Sequence, residues 1–219
     1  MEGTGLLLLW NDIEPAVDAE YNRWHSMEHV PERVRVPGIL AGRRYARIGE
    51  GKQRYLTVYE LESTAVLSSP PYLDLMENPT PWSRRMRINF SNVTRIACHR
   101  LDSAGAGMGA CLALIRLEAG RDEAAGLASA LAACAATEGV VAAHWCRTDP
   151  SVPGLSWQAT TAPSARCDRM LIAEAIDENS LCAALGRLEA LACHAAGSTD
   201  HLAGPGYALL HAVHHTVHH

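Results

Sequence analysis

The pattern of apolar and polar positions predicts a strand followed by a helix at the start of the chain. Leu6–Trp10 is an uninterrupted apolar run that ends at polar residues, which is typical of a short buried strand. Pro15 suits the first turn of a helix, because its missing backbone N–H would be unpaired there in any case. Pro31 disfavours helical geometry in Val30, so we expect this helix to end or kink at that point.

The rest of the first half predicts two strands, an interrupted helical region and a closing strand. Strands are predicted at Ile39–Ile48 and at Tyr55–Leu61, and the second of them alternates between two faces. Ser63 suits the cap of a helical region that prolines interrupt, and Val93–Leu101 is predicted as a strand. Asp102–Gly109 is small, polar and glycine-rich, which is typical of a linker.

The same order of elements then returns in the second half. Four strands and two helices are predicted, with strands at Cys111–Leu117, Val140–Arg147, Met170–Ile176 and Tyr207–Val213, and helices at Asp122–Ala136 and Glu178–Ala195. The loop between Asp149 and Cys167 is long enough to act as a lid. The repeat lies in the order of elements, since the two halves share little residue identity.

Each half therefore has the order β-α-β-β-α-β, which predicts an α+β fold of two tandem ferredoxin-like units. The predicted units cover residues 1–102 and 110–213, with a linker at 103–109 and a His-rich tail at 214–219. Helices cover one face of the antiparallel sheet in such a unit and leave the other face bare. Packing the two bare faces together would form an α/β barrel within one chain, with a cavity between the sheets.

Composition and charge narrow the classes of function. With 219 residues, 48% of them apolar, the chain can bury a core without disulfides or a structural metal. The net charge is −5 and the Lys and Arg residues are dispersed, so neither nucleic acid nor an anionic membrane is an expected partner. The seven cysteines are odd in number and unpaired in spacing, which predicts free thiols in the cytoplasm. The use of Arg rather than Lys, with abundant Ala and Gly, indicates a bacterial source.

The first predicted helix carries the main candidates for chemistry. Residues three and four apart share a helix face, so Tyr21, His25, Glu28 and Glu32 form one stripe, with His29 beside His25. An imidazole is the natural acid/base group near neutral pH, and an adjacent carboxylate can orient it. We interpret His29 as the catalytic group, assisted by His25 and Glu28. The alternative is that these are solvated polar groups on an outer helix face.

The same five residues match the pattern H-x-x-E-H of inverted zinc peptidases. That chemistry needs a third ligand and a larger scaffold, and a short pattern arises easily by chance in a chain with 11 His residues. The sequence therefore predicts no metal site.

The segment Tyr21–Pro31, which ends in His-Val-Pro, together with the following Pro37-Gly38-Ile39-Leu40, resembles the dimeric α/β-barrel superfamily and particularly its EthD-like branch. The resemblance implies ferredoxin-like halves that face each other, with a pocket between sheet and helices. Such relatives include cofactor-free isomerases, cyclases, decarboxylases and monooxygenases alongside haem enzymes, so the fold does not choose the reaction. Here two units are fused, and the helix Asp122–Ala136 carries no His, Trp or Tyr. We therefore expect the first half alone to hold the site.

Further side chains are candidates for contact with a substrate. They are Trp24 on the first helix, Tyr45, Tyr55 and Tyr59 on strands, Trp82 and Arg85 in the second helical region, and His144 on a strand of the second half. Tyr hydroxyls can bind a phenol, carbonyl or enolate, and an Arg can bind a carboxylate. Core packing is the alternative for the tyrosines and His144, and a solvated surface position is the alternative for Arg85.

Three functions are compatible with these residues. The leading hypothesis is an enzyme that needs no cofactor, in which His29 moves a proton during isomerisation, cyclisation, decarboxylation or elimination of a small aromatic or polyketide-like metabolite. The second is a haem-dependent lyase or oxygenase of the same fold, with a histidine as axial ligand. The third is a non-catalytic module for small-ligand binding or stress response. A fused chain pairs its sheets internally, so either a monomer or a homodimer is expected.

Overall fold

A closed antiparallel barrel of eight strands forms the centre of the fold in the computed structural model, which describes residues 1–118, 126–152, 167–198, 201–204 and 206–215. The strands are β1 (Gly5–Ile13), β2 (Ile39–Arg47), β3 (Tyr55–Leu61), β4 (Phe90–Gly105), β5 (Cys111–Leu117), β6 (Val140–Thr148), β7 (Arg169–Ala175), β8 (His201–Ala203) and β9 (Tyr207–His214). Around the barrel the order is β7-β6-β4-β1-β3-β2-β9-β5, and β5 pairs with β7 to close it. The short strand β8 pairs with β5 beside β9 and lies outside this ring.

The two halves of the barrel have the same strand order. The first half runs β4-β1-β3-β2 and the second β9-β5-β7-β6, and the halves meet where β4 pairs with β6 and β2 pairs with β9. β4 is longer than the predicted strand Val93–Leu101, since Ser103 and Gly105 pair with His144 and Ala142 of β6. The start of the predicted linker is therefore strand, because this extension supplies the pairing that joins the halves.

Helices cover the outside of the barrel. They are α1 (Asp18–Trp24), α2 (Val30–Val34), α3 (Pro70–Glu77), α4 (Pro81–Arg87), α5 (Leu127–Ala135) and α6 (Glu178–Ala196), with 3₁₀ turns at Pro15–Val17 and Thr64–Ser68. Residues 122–125 of the predicted helix Asp122–Ala136, most of the loop after Asp149 and the tail residues 216–219 lie outside the described residues. None of the described helices is long and apolar enough to cross a membrane.

The first helix does not end at Val30. A π-helical segment, His25–His29, joins α1 to α2, and the backbone N–H of Val30 donates to the carbonyl of His25 five residues earlier. Pro31 then occupies the first turn of α2, where its missing N–H leaves no helical bond unmade, so the helix continues to Val34. The local distortion is thus a wider turn before the proline.

The expected cavity between the two sheets is filled by side chains. Leu6, Leu8 and Trp10 of β1 meet Ile172 and Tyr207 from the second half inside the barrel, and all of them are buried. Interior positions of a small barrel are usually occupied in this way. The space available to a ligand therefore lies on the outer face of the sheet, beneath the helices, as the resemblance implies.

Candidate functional site

A pocket in the first half lies between the outer face of the sheet and its covering helices. It holds about 550 Å³ of empty space, including its opening to solvent. Its aromatic lining consists of Trp24, Tyr59, Tyr72 and Phe90. Aliphatic contacts come from Leu7, Leu9 and Ile39. Ligand sites are typically built from such apolar walls with a few polar groups, and these walls suit a flat aromatic molecule.

The floor of the pocket follows from the alternation of side chains along the strands. Leu7 lies opposite Tyr59 of β3, and Leu9 lies opposite Arg95 of β4, so all four face the helices. Leu8, between them, points into the barrel. The same alternation that predicts the strands therefore decides which of their residues reach the pocket.

His25 and His29 form the polar centre of the pocket. Their ring centroids lie 4.9 Å apart, and the Trp24 ring lies 5.4 Å from His25 and 4.5 Å from His29. His25 is buried and His29 is partly exposed. The two imidazoles lie side by side, as their spacing of four residues predicts.

The π-helical segment sets how these rings reach the pocket. A π turn carries an extra residue, which rotates the following side chains relative to an α-helix, and such turns are frequent at functional sites. The helix also lies close to the sheet, because a Cβ atom at Gly42 of β2 would come within 2.6 Å of Val30 Cγ1. Glycine at this position permits the approach.

Both imidazoles are neutral near pH 7. Burial, followed by the charges of Arg44 and Arg33, holds the pKa of His25 well below its ordinary value of 6.5. Burial, followed by Arg33 and His25, does the same to the pKa of His29. In the described part of the chain, the Nδ1 atom of each ring is buried without a hydrogen-bond partner. An unpaired buried polar atom costs about 1–3 kcal/mol, so a ligand that pairs with it gains affinity.

Arg44 of β2 fixes the position of the helix that carries the histidines. Its guanidinium group donates to Ser26 Oγ at 2.6 Å and to Asn22 Oδ1 at 2.9 Å. It also lies 5.4 Å from the ring centre of Tyr21, within the range of a cation–π contact. Because this cation is buried beside His25, it favours the neutral imidazole.

The hydrogen bonds of Glu28 among the described residues go to groups other than the two imidazoles. Its Oε1 atom accepts from Trp24 Nε1 at 3.2 Å and from Thr80 Oγ1 at 2.6 Å. Thr80 is also the N-cap of α4, where its hydroxyl accepts from the backbone N–H of Ser83. Glu28 therefore holds the pocket tryptophan and the start of α4 in place. A catalytic role for Glu28 remains a prediction that rests on sequence spacing alone.

The three strand tyrosines lie in three different environments. Tyr59 lines the pocket, and its hydroxyl is buried without a hydrogen-bond partner in the described residues. Tyr55 donates to Asp18 Oδ1 at 2.7 Å and accepts from Asn22 Nδ2 at 2.9 Å, which anchors α1 to the sheet. Tyr45 points into the barrel and belongs to its core. Of these three side chains, the geometry therefore places Tyr59 at the pocket.

Trp82 and Arg85 of α4 lie on the outside, beside a shallow groove. Trp82 Nε1 donates to Glu20 Oε1 at 3.0 Å, and Arg85 lies 3.6 Å from the same oxygen. These contacts connect α4 with α1. Neither side chain lines the pocket.

His144 belongs to a buried polar network inside the barrel. Arg100 donates to Ser103 Oγ at 2.8 Å, Ser103 Oγ and His144 Nδ1 share a hydrogen bond at 2.8 Å, and His144 Nε2 donates to Glu174 Oε1 at 3.2 Å. Arg43 pairs with Glu174 at 2.9 Å. The directions at the two ends of the network are fixed, because a guanidinium can only donate and a carboxylate can only accept. Burial alone would raise the pKa of Glu174, but His144 and Arg43 hold it below its ordinary value.

Three arginines at the pocket escaped the sequence analysis. Arg33 comes four residues after His29 on the same helix, so helical spacing was a usable signal. Arg95 faces the pocket by strand alternation, opposite Leu9. Arg87 comes from the end of α4, and no local pattern relates it to the histidines.

The described residues contain no group of three or more His, Cys, Asp or Glu side chains placed to hold a metal ion. The H-x-x-E-H pattern therefore has no third ligand in that part of the chain. The neutral rings of His25 and His29 would suit a haem iron, since a single protein nitrogen is enough to hold one.

Comparison with solved structures shows the fold. The match to an anthrone oxidase-like protein covers 98% of this chain and 94% of that protein, with a TM-score of 0.65 and 9% identity. The match to a candidate monooxygenase from Fusobacterium nucleatum covers 98% of this chain and 96% of that protein, with a TM-score of 0.60 and 8% identity. The match to a heme-binding protein from Thermus thermophilus covers 96% of this chain and 92% of that protein, with a TM-score of 0.55 and 11% identity. The chain has their fold. No described protein family and no curated protein matches the sequence itself.

The expectation from the sequence that this protein needs no cofactor is wrong. One of the proteins that share its fold binds heme. The physical reason is that haem is held by single side chains and a cavity, so the lack of a cofactor motif carries no information about it.

Proposed function

We propose that the pocket binds a small aromatic molecule and oxidises it, with His25 or His29 as the base that removes a proton from it. The observation that carries the proposal is the pair of neutral imidazoles with unpaired Nδ1 atoms in an aromatic pocket. A neutral ring is able to accept a proton across the physiological range. The oxidase-like and monooxygenase descriptions of two similar structures favour oxidation over the isomerisation or elimination that the same base could serve.

Different pocket residues would bind the substrate, remove its proton and stabilise the resulting anion. Trp24 and Phe90 would hold the aromatic rings of the substrate, while His25 or His29 accepts a proton from a phenol or from a carbon conjugated with a carbonyl through an aromatic ring. The guanidinium of Arg33 would stabilise the resulting oxyanion. For an anthrone, one oxygen atom of dioxygen becomes the carbonyl that replaces the CH₂ group, and the other leaves as water with the two hydrogens, so the substrate supplies the electrons.

Replacing each histidine tests the base. His25→Gln and His29→Gln keep a polar side chain of similar size, and we expect at least one to lower kcat for anthrone by about 100-fold or more. The assay follows oxygen uptake and quinone absorbance in aerated buffer. His214→Gln, on an exposed position of β9, is the matched control. Unchanged turnover in both pocket variants would rule out their role as bases.

Haem binding is a second candidate, and the donor set fits it. His25 or His29 would bind the haem iron through a ring nitrogen, and Arg33, Arg87 and Arg95 would meet the haem carboxylates. Bound haem would supply redox chemistry at its iron. Titration with haem should give a Soret band that His25→Ala or His29→Ala shifts. Haem that stays spectroscopically free in the presence of the protein would argue against this candidate.

We further propose that the barrel consists of two tandem ferredoxin-like units. The identical strand order of the two halves and the helices on their outer faces support this description.

A further inference from the structure

Tyr59 lies on a central strand of the first half, and its ring packs against a glycine of the neighbouring strand. On β3 it pairs with Leu7 of β1 on one side and with Gly42 of β2 on the other. A Cβ atom at Gly42 would come within 3.2 Å of the Tyr59 ring, so the glycine leaves the space beside this ring free. The Tyr59 side chain is buried. A group that is enclosed on a strand in this way is held more precisely than one on a loop.

The Tyr59 hydroxyl has no hydrogen-bond partner in the described residues, although Tyr59 lines the pocket. Four of the six tyrosine hydroxyls are paired, those of Tyr21, Tyr55, Tyr72 and Tyr207. Tyr45 is the other exception, but it points into the filled barrel beside Arg43. An unpaired buried hydroxyl destabilises the folded protein. At a pocket wall, a ligand that brings a polar atom to this hydroxyl removes the penalty and gains affinity.

The Tyr59 hydroxyl is a hydrogen-bond donor over the whole physiological pH range. Burial raises the pKa of Tyr59, and the charge of Arg33, which acts in the opposite direction, does not offset the effect of burial. Both side chains line the pocket. A protonated hydroxyl and a guanidinium suit an oxygen atom that accepts a hydrogen bond in the bound ligand and gains negative charge during the reaction.

We propose that the Tyr59 hydroxyl donates a hydrogen bond to a carbonyl oxygen of the substrate, so that the substrates of this pocket are aromatic ketones. The inference rests on the proposed function, because it concerns the same pocket, and it adds the class of substrate. The aromatic rings of such a ketone lie against Trp24, its acidic C–H group faces His25 or His29, and its carbonyl oxygen lies at Tyr59 and Arg33.

The same hydrogen bond acts on the reaction. When the imidazole removes a proton, the C–H bond breaks, the proton moves to the ring nitrogen, and the electron pair passes through the conjugated ring to the carbonyl oxygen. Negative charge therefore develops on the atom that Tyr59 contacts. Because a hydrogen bond strengthens as the charge on its acceptor grows, this one favours the anion more than the ketone. Tyr59 thus contributes to binding and, to a greater extent, to the rate of proton removal.

Two ligands that differ by one carbonyl group test the binding. The probes are 1-tetralone and tetralin, which has a CH₂ group in place of the carbonyl, and their affinities for the full chain are measured by equilibrium dialysis at pH 7.5. We expect Tyr59→Phe to weaken tetralone binding by about 5-fold or more, since it leaves the carbonyl unpaired, and to leave tetralin binding unchanged. Tyr45→Phe, which removes the other unpaired hydroxyl, is the matched control and should alter neither affinity.

The rate of proton removal gives a readout that a merely structural role of Tyr59 would not change. Anthrone in deuterated buffer without oxygen exchanges the hydrogens of its CH₂ group, and NMR follows the exchange that the protein catalyses. We expect Tyr59→Phe to lower this rate by about 10-fold or more, while its thermal stability is unchanged or raised. Tyr45→Phe should exchange at the rate of the unmodified protein.

The inference is overturned if Tyr59→Phe changes the affinities of the two probes equally or changes neither, or if neither probe binds. A measurable exchange rate that is unaltered in Tyr59→Phe would also overturn it. If tetralone binding depends on Tyr59 but anthrone is neither exchanged nor oxidised, the proposed oxidation fails and the ketone site stands. Oxidation of anthrone at the same rate with and without the Tyr59 hydroxyl would remove this inference alone.

Discussion

The two halves of the barrel share a strand order but use the outer face of the sheet in different ways. In the second half, the small side chains Ala130, Ala184 and Ala192 let α5 and α6 close over Trp145 and Leu171. The space left there is about 150 Å³, and its lining is wholly apolar. In the first half, the space is about 550 Å³, each figure including the opening to solvent, and its lining includes two histidines and three arginines.

The difference follows the size of the helix side chains: where they are small the helices pack on the sheet, and where they are large a pocket remains. Alanine brings a helix close to the sheet, and the interface then resembles any other close-packed core. Trp24, His25 and Arg33 are larger, and they line open space between the helices and the sheet. The same architecture therefore yields a packed core on one side and a candidate site on the other.

The largest expected effect comes from opening the packed half. Trp145 is fully buried, so Trp145→Ala should lower the free energy of unfolding by about 3–5 kcal/mol. Ligand binding in the first half should survive, since the two clusters share no residue. Urea denaturation measures stability and the anthrone assay measures the pocket, with Ile176→Ala at an exposed position after β7 as the control. Loss of binding in a folded Trp145→Ala protein would show that the halves are coupled.

A comparable loss is expected where the halves meet inside the barrel. Arg43 of β2 pairs with Glu60 at 2.6 Å and with Glu174 of the second half at 2.9 Å. Arg43→Met removes the guanidinium that these two buried carboxylates share and should cost about 3–5 kcal/mol of unfolding free energy. Arg147→Met, at an exposed position of β6, should change it by less than about 0.5 kcal/mol. Equal stability of the two variants would contradict a structural role for this network.

The two pocket histidines of the first half should make the free energy of unfolding depend on pH. The pKa values of His25 and His29 are depressed in the folded protein, while the unfolded chain takes up protons near pH 6.5. Below pH 6.5 the unfolded state therefore binds more protons, and stability falls as pH decreases from there; above pH 6.5 the two residues have no effect. The loss is up to about 1.4 kcal/mol per pH unit for each histidine.

Urea denaturation between pH 7.5 and 4.5 checks this dependence. His25→Gln should be less sensitive to acid than the unmodified protein, whereas the exposed control His214→Gln should not be. Tyr21, which packs on His25, does not titrate in this range because burial raises its pKa to about 12. An unaltered slope in His25→Gln would show that the ring is not held neutral by its surroundings.

The smallest expected effect distinguishes two buried tyrosine hydroxyls. Tyr59 in the pocket has no hydrogen-bond partner in the described residues, whereas Tyr207 of β9 donates to the Gln53 carbonyl at 3.0 Å. Tyr59→Phe should leave stability unchanged or raise it by about 1 kcal/mol, and Tyr207→Phe should lower it by about 1 kcal/mol. Thermal unfolding without ligand measures both. Destabilisation by Tyr59→Phe would mean that its hydroxyl is paired in solution.

Much of the fold can be predicted from sequence because strand and helix periodicity is local. The alternation in Tyr55–Leu61 and the apolar run Leu6–Trp10 mark their strands correctly. The pairing of His25 with His29 also follows from helix spacing. Pro31 was misleading, because the wider turn before it places the proline where a helix tolerates one.

The sequence by itself determined where the strands and helices lie and which helix carries the histidines, since each of these depends on neighbours within a few residues. Only the tertiary structure decided that the barrel interior is filled and that the pocket lies on the outer face. It also brought Arg33, Arg87 and Arg95 together, and sent Tyr45 and His144 into the barrel. These outcomes depend on contacts between distant segments, and the local periodicity of a chain does not record such contacts.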